Sequence, residues 1–357
     1  MNLAWKQNWD ETRQHMDAWW NHRGFVVGAW GPPKSRQAHE TLAPVAEKAG
    51  DIARFYTNAE YHASYEYQRL AHSYFGGDIL PMAETDIGPG SLALYLGSEA
   101  GFARDTVWFN PCLEGIDQPI RFDPENYWWQ VTRATLQACV EKSEGKYLVG
   151  CPDLVENLDI LASLRGTEAL MMDLIENPQQ VLLRLEEINQ AWSEVYTQIY
   201  DLIHLEDGSA AFGAFRLWGS GKTVKVQCDA SAMLSPRMFR RFVAPNLKTQ
   251  CAGLDHAMYH LDGHQCLCHL DALLEIEEID AIEWTPDPTV PSGGNPEWYG
   301  LYRKILEHGK SVQAVGVKVD EIKPLFDQVG PQGLYLFADV PSQAEFEAIE
   351  KIVEEYR

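Results

Sequence analysis

The sequence lacks long hydrophobic runs and is poor in basic residues. None of its 357 residues lies in a stretch approaching the roughly 20 consecutive apolar residues that cross a bilayer. Lys and Arg number 29 against 52 Asp and Glu, which gives a formal net charge of −23. Nucleic-acid binding needs a basic surface, and anionic membranes repel a strongly acidic protein. We therefore expect no action on nucleic acids or at membranes.

Cysteine is scarce, and the amino terminus has no apolar segment. The seven cysteines are odd in number and scattered along the chain, which indicates reduced thiols rather than a disulfide framework. The first ten residues are polar and do not form the hydrophobic region of a secretion signal. These features predict a cytoplasmic location. The hydrophobic content of 45% is typical of a packed globular protein and excludes a disordered chain.

Short apolar runs alternate with amphipathic helical segments from about residue 145 onwards. A long helix is predicted after Asn177 and Pro178, because apolar residues then recur every three or four positions. The predicted strands are 24–30, 146–150, 224–227, 257–261, 281–284, 312–315 and 334–337. This alternation favours an α/β fold, a (β/α)8 TIM barrel formed by one domain over 1–357, with 1–75 as a mainly helical extension. No Gly-x-Gly-x-x-Gly follows an early strand, which disfavours an open dinucleotide-binding sheet.

Potential metal ligands are concentrated directly after two of these strands, where the working residues of a parallel barrel lie. One strand ends in Cys228 and Asp229, and the next contains His260 and ends in Asp262. Zinc prefers His nitrogen and Cys sulfur and keeps an open position at catalytic sites. We predict a metal site, with zinc as the expected ion, with the ligands His260, Asp262 and Cys228 and with Glu283 or Cys266 as alternatives. The other interpretation is that His260 and Asp262 form a hydrogen-bonded pair that organises the strand end.

Further candidates lie near turns and predicted strand ends. Asp78 follows two glycines that permit close backbone approach to a ligand, although a turn alone would also explain them. Arg165 could bind an anionic substrate group or pair with a surface carboxylate. The predicted catalytic residues are Asp78, Asp229 and His260. The predicted substrate-binding residues are Arg165, Trp218, Tyr259, His264 and Trp284.

Several motifs resemble those of the uroporphyrinogen decarboxylase superfamily, which includes the methylcobamide:thiol methyltransferases. Segment 235–245 resembles the family's Ser-Pro-x-x-Phe…Pro helix. Segment 75–80 is similar to Phe-Ser-Asp-Ile-Leu of the decarboxylases, and Asp78 matches the aspartate that faces their substrate. His260-Leu261-Asp262-Gly263 looks like the His-x-Cys-Gly of the methyltransferases, whose His and Cys bind zinc. The resemblance implies a (β/α)8 barrel, zinc, a possible homodimer, and a corrinoid supplied by a partner protein or as free cofactor.

The chain departs from the family at two places. Asp262 stands where the methyltransferases have a cysteine, and no cysteine follows Cys268, so either oxygen ligands replace sulfur or no zinc is bound. The decarboxylases have an arginine-bearing motif near the amino terminus, but segment 28–33 of this chain has no arginine. Their substrate carries eight carboxylates, which a protein of net charge −23 is poorly suited to bind. With these departures, the resemblance implies a methyltransferase or demethylase that is related to corrinoid-dependent methyl transfer, acts on a small molecule, and is assisted by a metal at the carboxyl-terminal mouth of the barrel. The alternatives are a cofactor-free decarboxylase or lyase with Asp78 and His260 as acid and base, and a non-catalytic barrel that binds a small molecule or a corrinoid protein.

Overall fold

The protein is a mixed α/β structure in which mostly parallel strands alternate with helices. The computed structural model describes residues 3–41, 52–102 and 107–357. The strands are β1 (Val26–Ala29), β2 (Met82–Ala83), β3 (Glu99–Phe102), β4 (Val107–Asn110), β5 (Leu148–Cys151), β6 (Ala210–Phe212), β7 (Leu217–Gly219), β8 (Thr223–Gln227), β9 (His256–Asp262), β10 (Ala281–Thr285), β11 (Ser311–Val317) and β12 (Leu334–Ala338). The helices are α1 (Trp9–Trp20), α2 (Ile52–Thr57), α3 (Ala59–Ala71), α4 (Leu92–Tyr95), α5 (Tyr127–Ser143), α6 (Asn157–Arg165), α7 (Thr167–Glu176), α8 (Pro178–Ile203), α9 (Pro236–Phe242), α10 (Ala244–Cys251), α11 (Leu270–Leu274), α12 (Tyr299–Glu307), α13 (Val319–Val329) and α14 (Gln343–Val353).

The strands form two main sheets. The larger sheet has the order β1-β12-β11-β10-β9-β8 and is parallel throughout. The smaller sheet has the order β2-β5-β6-β7, in which only β7 is antiparallel to its neighbour. In the described part of the chain no backbone ladder joins the two sheets, so a closed (β/α)8 ring of hydrogen bonds is not present. The parallel strands and the alternating helices are present.

The strands predicted from apolar runs are confirmed with shifts of one or two residues at their ends. Residues of β9, β10, β11 and β12 are almost all buried, as expected for parallel strands covered on both faces. The sequence pattern did not predict β2, the β3–β4 hairpin or the β6–β7 hairpin. These strands have only two to four residues, too few to show a period.

Helices begin where the chain supplies the expected end signals. Pro178 occupies the first turn of α8, whose buried side includes Leu185, Ile188 and Trp192. Ser235 caps α9 by accepting a hydrogen bond from the Met238 N–H. Among the described residues, no helix is both long enough and apolar enough to cross a membrane.

Candidate active site at the carboxyl ends of the strands

A row of buried polar side chains crosses the larger sheet on one face. The register pairs Gln227 of β8 with His260 of β9, His260 with Glu283 of β10, and Glu283 with Gln313 of β11. All four residues are at most 9% exposed. Neighbours in register point to the same side of a sheet, and residues two positions further along a strand lie on that side as well. The row therefore forms the floor of a polar site, and Asp229, Asp262 and Thr285 stand one layer closer to the strand ends.

His260 and Glu283 form the centre of this row. The His260 Nδ1 is hydrogen-bonded to the Glu283 Oε2, and the Thr285 hydroxyl donates to the other carboxylate oxygen at 2.6 Å. Burial opposes the imidazolium form of His260, but the negative charge and hydrogen bond of Glu283 outweigh it and raise the pKa of His260. Burial raises the pKa of the Glu283 carboxyl. The pair holds the imidazole in one orientation and leaves Nε2 available to a ligand.

Three potential metal ligands converge above this pair. Ligand atoms of Asp229, His260 and Asp262 all lie within 4.8 Å of one another. The Asp229 carboxylate also accepts a hydrogen bond from the Gln227 side chain at 2.8 Å, and its partial enclosure by protein raises the pKa of Asp229. One imidazole and two carboxylates suit a divalent cation of borderline or hard character. This ligand set differs from the thiolate-rich sets of the family's zinc sites. A carboxylate behind the histidine is the usual outer partner of a metal-bound imidazole, and Glu283 occupies that place.

A second group of charged residues lies beside the cluster. Lys225 of β8 is fully buried; its ammonium donates to the Asp153 Oδ2 at 2.8 Å and to the Gln227 side chain. Asp86, which follows β2, accepts a hydrogen bond from the Asp153 N–H. Burial, together with the charge of Asp153, raises the pKa of Asp86 to about 7. Asp86 can therefore release or take up a proton near neutral pH.

The loop of residues 213–216, between β6 and β7, crosses the open side of the barrel-like interior; we call it the mouth loop. The Phe215 carbonyl accepts a hydrogen bond from the Gln313 side chain at 2.9 Å, and the Arg216 carbonyl accepts one from the Tyr335 hydroxyl at 3.1 Å. The Phe215 ring lies 4.6 Å from the His260 ring. Phe215 and Arg216 have φ angles of 57° and 50°, a left-handed conformation that costs non-glycine residues energy and is enriched at functional sites.

Asp78 does not belong to this ligand cluster. It precedes β2, is fully buried, and accepts hydrogen bonds from the Val27 N–H at 3.0 Å and from Arg357 at 2.8 Å. His15 of α1 lies 2.7 Å from its other oxygen. Asp78 thus ties the amino-terminal helix to the carboxyl terminus near the amino-terminal ends of the strands. The contacts of Asp78 are structural and its catalytic role stays a prediction, whereas Asp86 follows β2 and lies at the carboxyl end of that strand.

Three other predicted residues lie on the outer faces of their strands. Cys228, Tyr259 and Trp284 alternate with the inward residues Gln227, His260 and Glu283, and each is at most 2% exposed. Cys228 is not part of the ligand cluster, and burial raises the pKa of its thiol well above the usual range. The Trp284 ring packs against Trp298 at 4.8 Å, in the layer of helices. The prediction that Cys228 binds the metal and that Tyr259 and Trp284 bind substrate is corrected, because the pleat of a strand turns these side chains away from the mouth.

The remaining predicted substrate-binding residues are Arg165, Trp218 and His264, and they lie in three separate parts of the structure. Arg165 donates to the Asp173 carboxylate at 2.9 Å, so it has the alternative role of pairing with a carboxylate. Trp218 is fully buried against Trp9 of α1, with ring centroids 5.5 Å apart. His264 is half-exposed after β9 and lies 2.6 Å from Asp287. Of these three, only His264 borders the mouth.

The alternatives to Cys228 as a ligand are also placed by the structure. Glu283 holds His260 from behind. The Cys266 sulfur lies 3.5 Å from the Ser231 hydroxyl and does not belong to the ligand cluster.

Several site residues lie inside strands, and strand ends alone do not reveal them. Lys225, Gln227 and Gln313 are polar residues inside otherwise apolar strands. Burying such groups costs free energy unless they are paired, so polar residues at alternate positions of buried strands were the available signal. Asp86 and Asp153 follow strands of two and four residues and were harder to recognise.

Comparison with known proteins identifies the fold. No family model matches the chain, and no curated protein matches it by sequence. A methyltransferase from Methanosarcina mazei superposes with a TM-score of 0.64 at 11% identity, covering 96% of this chain and 99% of that one. A B12-independent methionine synthase from Shewanella sp. W3-18-1 superposes with a TM-score of 0.52 at 12% identity, covering 92% and 97%. The resemblance predicted from the sequence is confirmed at the level of the fold, which this chain shares with a methyltransferase and a methionine synthase.

Proposed function

We propose that the protein is an enzyme of methyl transfer that uses a divalent cation held by Asp229, His260 and Asp262. The observation that carries the proposal is the convergence of these three ligand atoms within 4.8 Å, at the mouth of a fold shared with a methyltransferase. Bound there, a divalent cation would supply Lewis-acid chemistry that favours the thiolate form of an acceptor thiol or polarises a substrate oxygen. Because two of the three ligands are carboxylates, we do not commit the site to zinc, the metal of the family, and propose a divalent cation in general.

The residues around the cluster have separate tasks in this proposal. Glu283 holds the His260 imidazole by its Nδ1, so that Nε2 faces the cluster. Lys225 offsets the charge of Asp153 next to the carboxylates. Asp86 gives or accepts the proton of an acceptor or leaving group, because its pKa of about 7 matches a neutral solution. The mouth loop lies over the floor of the site and keeps water away from the imidazole.

The proposal places any corrinoid outside the mouth. The cavities around Asp86 and Asp229 have volumes of about 250 to 350 Å³ each, which lies at the small end of ligand sites. Corrinoid dependence therefore stays a prediction in which the cofactor approaches the mouth from outside, free or on a partner protein.

Metal analysis of matched variants tests the cation site. We expect the purified protein, loaded with Zn²⁺, Mn²⁺ or Fe²⁺ and desalted, to retain about one equivalent per chain. Asp262→Asn removes a solvent-exposed ligand and should abolish retention, while Glu283→Gln should weaken affinity about 10- to 100-fold through the imidazole. Asp287→Asn, which alters a neighbouring carboxylate bonded to His264, should retain the metal. Retention below about a tenth of an equivalent by the unaltered protein would contradict the site.

Activity assays test methyl transfer separately. Methylcobalamin and a panel of methylated compounds serve as donors, and a panel of thiols serves as acceptors. Transfer should be lost in chelator, return on adding the metal, and be lost in Asp262→Asn. A protein that holds the metal but transfers no methyl group in any combination would exclude the proposed reaction.

A second candidate function is favoured by Asp86. A carboxyl with a pKa of about 7 beside a buried lysine can carry acid–base chemistry without a metal. A cofactor-free decarboxylase or lyase would use Asp86, in place of Asp78, together with His260. This function predicts full turnover in chelator and loss of turnover in Asp86→Asn.

A further inference from the structure

We infer that three aromatic rings beside Asp86, those of Trp30, Phe215 and Phe337, form a binding site for a small methylated ammonium cation. We call these rings the aromatic box. The inference rests on the proposed function and deepens it, because it names the chemical class of the methyl-bearing substrate. Nothing in the proposed cation cluster requires the box, so the two can be tested apart.

The rings are arranged as walls. The Trp30 ring stands nearly perpendicular to the other two, at 80° to Phe215 with centroids 5.4 Å apart and at 86° to Phe337 with centroids 5.7 Å apart. Trp30 follows β1 and is 52% exposed, while Phe337 of β12 is fully buried. The exposed Trp30 ring has a face with negative quadrupole charge open to a ligand, and the edge-to-face contacts with Phe215 and Phe337 hold that ring in place at the cavity that all three residues line.

The cavity in front of these rings is small and carries carboxylates. Its volume is about 250 Å³, and its lining includes Glu84, Asp86 and Arg216 with the three rings. Arg216 forms an ion pair with Glu84, so its positive charge is offset. In the described part of the chain no salt bridge engages Asp86, whereas Asp153 next to it is paired with Lys225 at 2.8 Å. Asp86 is thus the acidic group that a bound cation would face.

These features select the charge and the size of the ligand. An anion would meet Asp86, whose charge no salt bridge offsets in the described part of the chain, and an apolar molecule would desolvate Asp86 with no compensation. A quaternary or tertiary methylammonium group presents charge spread over methyl groups, which suits ring faces and a nearby carboxylate together. A cavity of about 250 Å³ admits a head group of that kind and excludes long substituents from the box.

The box also adjoins the cation cluster. Phe215 contacts both sides, with its ring 5.4 Å from Trp30 and 4.6 Å from His260. Transfer of a methyl group from the ammonium to an acceptor thiolate breaks an N–C bond, whose electron pair stays on nitrogen, and forms an S–C bond. The products are a neutral amine and a thioether. The loss of charge on nitrogen weakens its attraction to the box, which favours product release.

Calorimetric titration of the full chain with choline and tetramethylammonium tests the inference. The neutral isostere 3,3-dimethylbutan-1-ol is the matched ligand, since it keeps the shape of choline without the charge. We expect the isostere to bind at least about tenfold more weakly. Trp30→Ala should weaken choline binding about tenfold and Trp30→Phe less, while Trp108→Ala, at a 66% exposed tryptophan of β4 outside the box, should leave it unchanged.

Proton release gives a second measurement. Because the pKa of Asp86 is about 7, a cation bound beside it should drive ionisation, so choline should bind more tightly at pH 8 than at pH 6. Titrations in buffers of different ionisation enthalpy should show proton release from the unaltered protein and none from Asp86→Asn. Failure of both cations to bind, equal binding of the isostere, or insensitivity to Trp30→Ala would overturn the inference. Metal retention by the same samples would show whether the proposed cation cluster fails with it or stands.

Discussion

At the scale of single residues, the site depends on how each polar group is paired. His260 is suited to bind a ligand through Nε2, because Glu283 holds its Nδ1 in a hydrogen bond and burial on β9 keeps water from competing for the imidazole. Asp86 and Asp78 are both enclosed aspartates, yet their surroundings move their pKa values in opposite directions. Asp86 faces another carboxylate, whereas Asp78 faces His15 and Arg357. The residue type alone does not reveal this difference.

Replacing Asp86 by Asn should change how stability depends on pH. The pKa of Asp86 is raised from 3.8 to about 7 in the folded protein, so its contribution is fully present below pH 3.8 and is lost as the pH rises through about 7. Each pKa unit corresponds to about 1.4 kcal/mol. Asp86→Asn should therefore be more stable than the parent at pH 8 and should lose less stability between pH 4 and 8. Urea unfolding at several pH values measures this, and parallel pH profiles for the two proteins would contradict it.

Replacing Asp78 by Asn should reduce stability and leave chemistry at the mouth intact. Burial opposes ionisation of Asp78, but His15, Arg357 and the Val27 N–H outweigh it and lower its pKa. Its contribution is thus present above pH 3.8 and is lost as the pH falls through the folded-state value. We expect a loss of about 1–3 kcal/mol at pH 7, with metal retention unchanged. Loss of metal or of turnover in a variant that remains folded would contradict this outcome and support the predicted catalytic role of Asp78.

At the scale of elements, parallel register builds the site. Five strands contribute to one polar row because β8 to β12 align Gln227, His260, Glu283, Gln313 and Tyr335 side by side. The mouth loop then fills the space above Gln313 and Tyr335 through its carbonyl groups. Such an arrangement needs close approach between the loop and the smaller sheet, and Gly150 of β5 provides it.

Substituting Gly150 should disturb the mouth loop. A Cβ at position 150 would lie 2.8 Å from the Gly213 Cα and 2.9 Å from its nitrogen, so backbone must shift. We expect Gly150→Ala to destabilise the protein by about 1–3 kcal/mol and to weaken metal binding through Phe215 and His260. Gly300→Ala on α12, where a Cβ meets nothing within 4 Å, should instead be neutral or stabilising by up to about 1 kcal/mol. Thermal denaturation of both variants checks the contrast, and equal shifts would contradict it.

At the scale of the whole molecule, the dominant feature is charge. A net charge of −23 on 357 residues makes the compact state repel itself. The same excess favours the approach of cations to the mouth, where Asp86, Asp229 and Asp262 add to it locally. The overall charge therefore suits both the proposed divalent cation and the methylammonium ligand that we infer.

Screening should stabilise the folded protein. Raising NaCl from about 0.05 to about 0.5 M shortens the Debye length severalfold and should raise Tm, with KCl giving the same increase. Divalent cations should add a saturable increase that Asp262→Asn abolishes. A Tm that falls with NaCl would show that attractive ion pairs such as Arg165–Asp173 outweigh the net repulsion.

The sequence by itself determined the positions of the buried parallel strands, the long helix α8 and the concentration of ligands at the end of β9. These follow from local patterns, namely apolar runs, helical periodicity and end signals. Only the tertiary structure decided which polar residues meet. It brought Asp229 to His260 and Asp262, turned Cys228, Tyr259 and Trp284 outward, and surrounded Asp86 by a carboxylate but Asp78 by His15 and Arg357. Pleat direction, register and strand polarity made those choices, because they relate residues that are far apart in the chain.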